Sequence, residues 1–463
     1  MKVLAGSLAL FFLFCQCAQA QLSRGANLSP NLFGSIPQET TTGGTIGLPL
    51  SEAIDRALKY NFGPIISEQE TRVSRAERVR SLSELMPKVT GTVNQYVQQI
   101  NLAAYGFNGF PGAPLVVGPF SLIDARAKYT QNVVDFKLLH ELRSSAEKVT
   151  ASNYAQDDVR ELVVLIATDL YLESVAAASR VDAVRVQVKT AQAVYDRAVS
   201  LKNSGVVPGI DVLRAQVQLQ TQQQRVVSAE NDLAKEKLNL ARAIGLPQGQ
   251  AFTLTDSFVK DAVTVPPLDQ ALATALESRP DYKRSLTLIK AAEQTRKAAE
   301  ARRLPSMQVS ADYGDIGRSL GFSHGTVGLQ GTLSIPIFTG ERTRAEILES
   351  DSLLEQRKAE SSNLRGRIEY EIRTANLDIQ SAAEQVKVAQ SARDLAQQQL
   401  AQAQDRFAAG VTNGLEVTQS QETVATAEEN YISSLYALNL AEAALARGMG
   451  TAEKMIKSFF GGK

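Results

Sequence analysis

Hydrophobic and polar residues follow two different periods along this chain. Residues 137–204 contain no Gly and no Pro, and their apolar residues recur at three- and four-residue steps, which is the period of an amphipathic helix. Residues 341–409 have the same character, with no Pro and a single glycine, Gly366. With a rise of about 1.5 Å per residue, a helix over 137–204 would be roughly 100 Å long. Such a length favours a coiled coil or a helical tube over a compact domain.

Each long helix is followed by a shorter one, predicted over residues 210–244 and 415–447. The connection has the same octet pattern in both places: Gly, Val, two variable residues, Gly, Ile or Leu, Asp or Glu, and Val. The first turn of each shorter helix carries an acid, Asp211 or Glu416, where a negative charge favours the helix dipole. The octets predict two tight helix-turn-helix tips, whose turns are assigned to Gly205, Gly209, Gly410 and Gly414.

Between the helices the period changes to two. Met307, Val309 and Ala311 alternate with Gln308 and Ser310, as in a strand with one apolar and one polar face. Strands are predicted at 88–102, 120–136, 306–316 and 325–338. Each is long enough for a membrane barrel, whose strands need about 9–11 residues. Four strands cannot close a barrel, since membrane barrels start at about eight strands, so the chain must pool its strands with copies of itself.

The order of elements is duplicated. The segment that begins at Leu50 is similar to the one at Leu268, and further landmarks recur in the same order. We predict two structural repeats, 50–266 and 267–449, each with a helix, two strands, a long helix and a shorter helix. Residues 103–119 form a long external loop in this scheme. The landmarks assigned to strand-helix junctions are Pro87, Pro305, Pro336, Phe338 and Gly340.

The two ends of the chain have a different composition. Lys2, an apolar run and the motif Ala18-Gln19-Ala20 are typical of a cleaved signal peptide over residues 1–20. Both cysteines, Cys15 and Cys17, fall within it, so the mature chain is predicted to lack thiols and disulfides. Residues 21–49 and 450–463 are predicted to be a flexible N-terminal segment and a C-terminal tail, either disordered or packed on a barrel.

Charge and motifs give little sign of chemistry. Lys and Arg together number 49, as do Asp and Glu, so no basic excess indicates a nucleic-acid partner. The two histidines, His140 and His324, lie in different elements without ligand-like spacing, and the pair Asp157-Asp158 is typical of a solvated helix face. Nucleophile elbows, phosphate loops and zinc signatures are absent from the sequence. We therefore expect no cofactor, no metal site and no enzymatic activity.

Together these features resemble the TolC-like outer-membrane efflux proteins. The resemblance rests on Leu50-Ser51-Glu52-Ala53, on the run from Pro336 to Arg342 and on the paired glycine octets, and it extends from about Leu50 to about Met449. It implies a mainly α fold with a β-barrel part, in which a homotrimer closes a twelve-stranded barrel in the outer membrane above a long α-helical barrel in the periplasm. It also implies passive conduction, with a periplasmic adaptor and an inner-membrane RND or ABC pump docking at the helix tips.

Several interpretations stay open at this point. Asp211 and Glu416 form either a carboxylate ring that favours cations at the entrance or ordinary acids in a first helical turn. Phe407 is expected to pack in the interior rather than to act as a gate. A periplasmic coiled-coil scaffold or adaptor without a pore would also explain the helices and the signal peptide, but not the paired strands of each repeat. The sequence does not identify the cargo.

Overall fold

A computed structural model describes residues 30–37, 43–106, 114–259 and 266–460. The predicted signal peptide with Cys15 and Cys17 lies outside the described residues, as does part of the predicted external loop. The described chain is mainly helical with a smaller sheet part, as the sequence predicts.

The same order of elements occurs twice along the chain. The first half contains β1 (Ile46–Leu48), α1 (Leu50–Tyr60), α2 (Phe62–Ser83), β2 (Lys88–Asn101), β3 (Val116–Val134), α3 (Phe136–Asn203) and α4 (Gly209–Ile244). The second half contains β4 (Phe252–Leu254), α5 (Leu268–Ser278), α6 (Pro280–Ala301), β5 (Ser306–Gly317), β6 (Ser323–Ser334), α7 (Arg342–Ala408), α8 (Gly414–Gly448) and α9 (Ala452–Phe460). The last strand therefore ends before Pro336 and Phe338, which the prediction placed inside it.

Each repeat opens with two helices rather than the single helix that periodicity predicts. Asn61 separates α1 from α2, and its side-chain amide donates to the carbonyl oxygens of Leu32 and Ala243 at 2.7 and 3.1 Å. In the second repeat Arg279 separates α5 from α6, and Pro280 occupies the first helical position, where its missing N–H costs little. Buried polar side chains hold both breaks, which apolar spacing alone does not reveal.

The chain forms two compact units. Of the described residues, the helical unit comprises those up to Gln69, those within Ala155–Tyr282 and those from Leu364, and the sheet unit comprises those within Glu70–Tyr154 and Lys283–Asn363. An 18-residue stretch of α3 is apolar enough to cross a membrane by length and composition, but 67% of it is buried inside the protein. Core packing therefore accounts for its apolar character. The largest fully buried side chains of the helical unit include Tyr171, Ile54, Leu240, Ile372, Leu438 and Ile456.

Both terminal segments contribute to this core. Within the predicted flexible segment 21–49, β1 pairs in parallel with β4, Ile46 lying opposite Phe252. Within the predicted tail 450–463, α9 buries Ala452 and Ile456 completely, and the Ala452 N–H donates to Glu161 Oε2 at 2.7 Å. Residues 46–48 and 452–460 are therefore ordered elements of the helical unit, because each finds a partner that is distant in sequence.

The four longer strands form one antiparallel sheet in the sheet unit. Their order is β2-β3-β5-β6, so the two hairpins of the repeats meet where β3 pairs with β5. Irregularities interrupt the register between Gln98 and Ile100 and between Asn132 and Val134. Among the described residues β2 and β6 each pair on one side only, which leaves them as the two edges of the sheet.

Candidate functional site

The two helix-helix turns have the same backbone geometry. Gly205 and Gly410 end α3 and α7 with left-handed φ angles of 75° and 71°. In each case the N–H of the following valine donates to a carbonyl five residues earlier, Val206 to Leu201 at 2.9 Å and Val411 to Arg406 at 3.0 Å. This bond pattern is the Schellman motif, which requires a residue with positive φ and so favours glycine. The duplicated octet is thus a duplicated helix stop.

The turns differ in how the next helix starts. Asn413 caps α8, since its side-chain oxygen accepts hydrogen bonds from the N–H groups of Leu415 and Glu416 at 3.2 and 3.4 Å. Pro208 occupies the equivalent position before α4 and provides no side-chain cap. The two turns lie against each other, because a Cβ at Gly410 would be 3.1 Å from Val206 Cγ1.

Both candidate entrance carboxylates are bound by arginines of the same chain. Asp211 is buried and its Oδ1 lies 3.2 Å from Arg214 Nη1. Glu416 accepts a hydrogen bond from Arg406 Nη1 at 2.7 Å and another from the Thr412 hydroxyl. Each carboxylate is therefore neutralised within its own turn. Their role at an entrance stays a prediction.

A small apolar cluster supports the turns from inside. Phe407 is buried there, in keeping with an interior packing role. Ala198 and Ala403, which occupy equivalent positions of the two repeats, are both buried in it. Arg197 adds a polar contact by donating from Nη2 to the carbonyl of Ala408 at 2.9 Å. The cluster consists of Ala198, Leu201, Ala215, Ala403, Phe407 and Val417.

The sheet has one apolar and one charged face. The register places Val93, Tyr313 and Leu329 on the same face, in different rows, and Leu329 is 80% exposed. Isolated soluble proteins rarely expose a contiguous apolar surface this broad. The exposed residues of this apolar face are Val89, Val93, Val97, Met307, Tyr313, Val327, Leu329 and Leu333.

The opposite face carries a charged cluster at the junction of the two hairpins. Arg126 on β3 contacts Asp124 at 2.9 Å and Asp312 on β5 at 2.7 Å. Gly328 lies opposite Asp312 on β6, and a Cβ there would be 2.6 Å from Asp312 Oδ1, so the glycine leaves room for this carboxylate. The cluster connects the repeats through side chains on the polar face.

The predicted junction residues lie in the connections between helices and strands. Pro87 and Pro305 directly precede β2 and β5, and Pro336 follows β6 by two residues. Phe338 is 86% exposed. Gly340 has a φ of 59°, and the next residue, Glu341, is also left-handed with a φ of 66°. The connection into α7 is thus longer than its counterpart before α3, where Asp135 alone separates strand and helix.

The remaining sequence candidates are dispersed. His140 lies 2.9 Å from the side-chain oxygen of Gln294, and His324 lies in β6. Asp158 forms an ion pair with Arg447. Within the described ranges, no three His, Cys, Asp or Glu side chains are arranged to hold a metal ion.

A carboxyl cluster that the sequence did not indicate lies in the helical unit. Burial, followed by the charges of Glu236 and Asp169, raises the pKa of Glu173 to about 7, while Arg180 opposes the shift. Burial also raises the pKa of Asp169, although the Tyr436 hydroxyl donates to it at 2.6 Å. The cluster is formed by residues of α3, α4 and α8, which are far apart in the sequence. Helix periodicity does not predict which helices pack together, so it gives no sign of this cluster.

The pKa of Glu173 predicts a pH dependence of stability. A carboxyl group whose pKa rises from 4.5 to about 7 on folding stabilises the fold below pH 4.5, and this contribution is lost as the pH rises through 7. As the pH rises from 4.5 to about 7, the stability of Glu173→Gln should therefore increase relative to that of the parent protein. Urea unfolding at pH 4 to 8, followed by circular dichroism, measures the difference. Parallel pH profiles for the two proteins would contradict the assignment.

Comparison with known proteins identifies the fold and the family. The family model described as outer membrane efflux protein matches residues 68–246 and 271–451. None of the curated proteins matches the sequence significantly. Among solved structures, CusC superimposes with a TM-score of 0.76 at 17% identity, over 91% of this chain and 96% of CusC.

Two further solved structures have the same fold. The CmeC outer membrane channel of Campylobacter jejuni gives a TM-score of 0.73 at 17% identity, covering 92% of this chain and 93% of CmeC. The open state of the MtrE outer membrane channel of Neisseria gonorrhoeae gives 0.74 at 15% identity, covering 91% and 96%. The family match spans most of both repeats and confirms the resemblance seen in the sequence. The chain belongs to the outer membrane efflux protein family.

Proposed function

We propose that three copies of this chain form a continuous duct from the periplasm to the cell exterior. Their sheets close a twelve-stranded barrel in the outer membrane, and their long helices form an α-helical barrel in the periplasm. The proposed duct conducts solutes passively and performs no chemistry of its own. The outer membrane is its location, and the cargo is left open.

One observation carries this proposal: a four-stranded sheet with two open edges, one apolar face and one charged face. An open edge in lipid would leave N–H and C=O groups without partners, at several kcal/mol each, so the edges β2 and β6 need further strands. Copies of the same chain provide them, with β6 of one chain next to β2 of another. The apolar face then contacts lipid, and the face with Arg126 and Asp312 lines water.

We further propose that the duct belongs to a tripartite system. A periplasmic adaptor and an inner-membrane pump of the RND or ABC class would dock at the tips and supply the energy. The support is the pair of equivalent turns at the ends of α3 and α7, which bring Val206 against Gly410. Efflux or type I secretion would both use such an assembly.

A periplasmic scaffold or adaptor without a pore is the alternative function. Planar-bilayer conductance of the purified outer-membrane protein, with chemical crosslinking in parallel, separates the two. The duct predicts discrete channel openings from a species that crosslinks as a trimer. A soluble and non-conducting coiled coil would reject the duct and leave the scaffold.

The tip carboxylates provide a second test of this duct. Replacing both Asp211 and Glu416 with alanine leaves Arg214 and Arg406 without their partners, which adds positive charge at each tip. Cation over anion permeability, measured from reversal potentials in a KCl gradient, should fall at least about twofold. Arg406→Ala should shift the same ratio in the opposite direction. An unchanged preference in both variants would remove these residues from the entrance.

A further inference from the structure

We propose that Lys128 sets the charge selectivity of the membrane barrel by balancing the negative charge of the Arg126 cluster. The Arg126 cluster consists of Arg126, Asp124 and Asp312. Together with Lys128 it leaves the lumen wall without net charge at this level, so that ions and solutes of either sign can pass. The inference rests on the proposed function, since it assumes that the charged face of the sheet lines the lumen.

The register places these four residues on one face of the sheet, on the two strands that join the repeats. Asp124, Arg126 and Lys128 occupy alternate positions of β3, and Lys128 lies opposite Asp312 on β5. Residues directly opposite in an antiparallel pair have Cβ atoms about 4.5–5.5 Å apart. The Lys128 side chain is therefore close enough to the Arg126 cluster to compensate its charge.

The Arg126 cluster has more negative than positive charge. The Arg126 guanidinium lies 2.9 Å from Asp124 and 2.7 Å from Asp312. One cation thus serves two carboxylates, and one negative charge remains in excess. Lys128 is exposed, and among the described residues it forms no ion pair of its own. Its ammonium group supplies the positive charge that the cluster lacks.

The rest of this face carries no other unbalanced charge, with histidine counted as neutral. Neutral side chains such as Thr90 and Gln330 occupy the edge strands β2 and β6 beside the cluster. At the end of the face next to the helices, Lys88 is paired with Glu84 at 2.7 Å. In a closed barrel the edge strands would separate the clusters of adjacent chains, so each cluster depends on the Lys128 of its own chain.

An unbalanced charge on a lumen wall acts on the ions that pass it. Rings of charged side chains give pores a preference for ions of opposite sign. The range of this effect depends on salt, because the Debye length is about 10 Å at 0.1 M ionic strength and about 3 Å at 1 M. Three copies without the Lys128 charge would form such a ring, with a preference for cations that is strongest in dilute salt.

Reversal potentials across planar bilayers in a KCl gradient around 0.1 M, at pH 8, test this role. Lys128→Gln should raise cation over anion permeability at least about twofold, because the excess negative charge is then uncompensated. Asp124→Asn should lower the ratio by a similar factor, since it leaves an excess positive charge. The double variant with both substitutions should return to the ratio of the parent protein.

Two controls separate charge from structure. Lys128→Arg keeps the positive charge and should keep the parent ratio. In a KCl gradient around 1 M the differences between variants should largely disappear, because screening shortens the reach of each charge. A change in pore shape would persist in concentrated salt.

Unchanged ratios in both Lys128→Gln and Asp124→Asn would overturn the inference, while discrete openings from a trimer would leave the proposed duct intact. Shifts of the same sign in the two variants would also overturn it, since charge balance requires opposite signs. If the parent protein forms no channels at all, the proposed function fails together with the inference.

Discussion

Arg279→Met should destabilise the protein by about 3–5 kcal/mol, because it removes a buried cation from two partly buried carboxylates and leaves Asp281 without its ion-pair partner. Arg279 is 2% exposed and contacts Asp281 at 2.7 Å and Glu371 at 2.6 Å. It also donates to the carbonyl oxygen of Gly448 at 3.2 Å, at the end of α8. Burial alone would lower the pKa of Arg279, but the bonds and charges of Asp281 and Glu371 outweigh it and raise that pKa.

Urea unfolding in detergent at a fixed protein concentration measures this loss. Arg342→Met is the matched control, since Arg342 is 71% exposed in its pair with Glu346 and should cost less than about 1 kcal/mol. Equal effects of the two substitutions would mean that the buried network contributes no more than a surface ion pair. Arg279 would then not be what holds the break between α5 and α6.

Gly245→Ala should cost about 2–5 kcal/mol from two separate causes. Gly245 ends α4 with a φ of 72°, which is unfavourable for a residue with a Cβ by about 1–2 kcal/mol. A Cβ there would also lie 2.4 Å from Tyr60 Cβ, and relieving such a clash in a packed region costs a further 1–3 kcal/mol, roughly. Tyr60 is itself buried at the end of α1.

Gly205→Ala separates these two causes. Gly205 has nearly the same φ, 75°, but nothing lies within 4 Å of the position that its Cβ would take. It should therefore lose only the backbone part, about 1–2 kcal/mol. The difference between the two unfolding free energies isolates the contact with Tyr60. A cost at Gly205 as large as at Gly245 would mean that packing against Tyr60 is unimportant.

Local sequence predicts some features of the two helix tips and not others. Gly205 and Gly410 could be assigned to helix ends because the Schellman motif is a local arrangement that needs a positive φ. The arginines that bind Asp211 and Glu416 lie outside the two octets. Arg214 lies three positions after Asp211, a spacing at which helical side chains meet, so local sequence can predict this pair. Arg406 pairs with Glu416 across the turn, ten residues away, and this contact follows only from the folded hairpin.

The long helices, the strands and the duplicated order can be predicted from local sequence, since each depends on periodicity and on Gly and Pro signals within a short stretch. The breaks at Asn61 and Arg279 and the packing of β1 and α9 into the core follow only from the folded chain. These features depend on partners far along the chain, such as Ala243 for Asn61 and Glu161 for Ala452. A buried polar group needs a hydrogen-bond partner, but the partner can lie anywhere along the chain. Such a pairing therefore leaves no periodic pattern in the sequence.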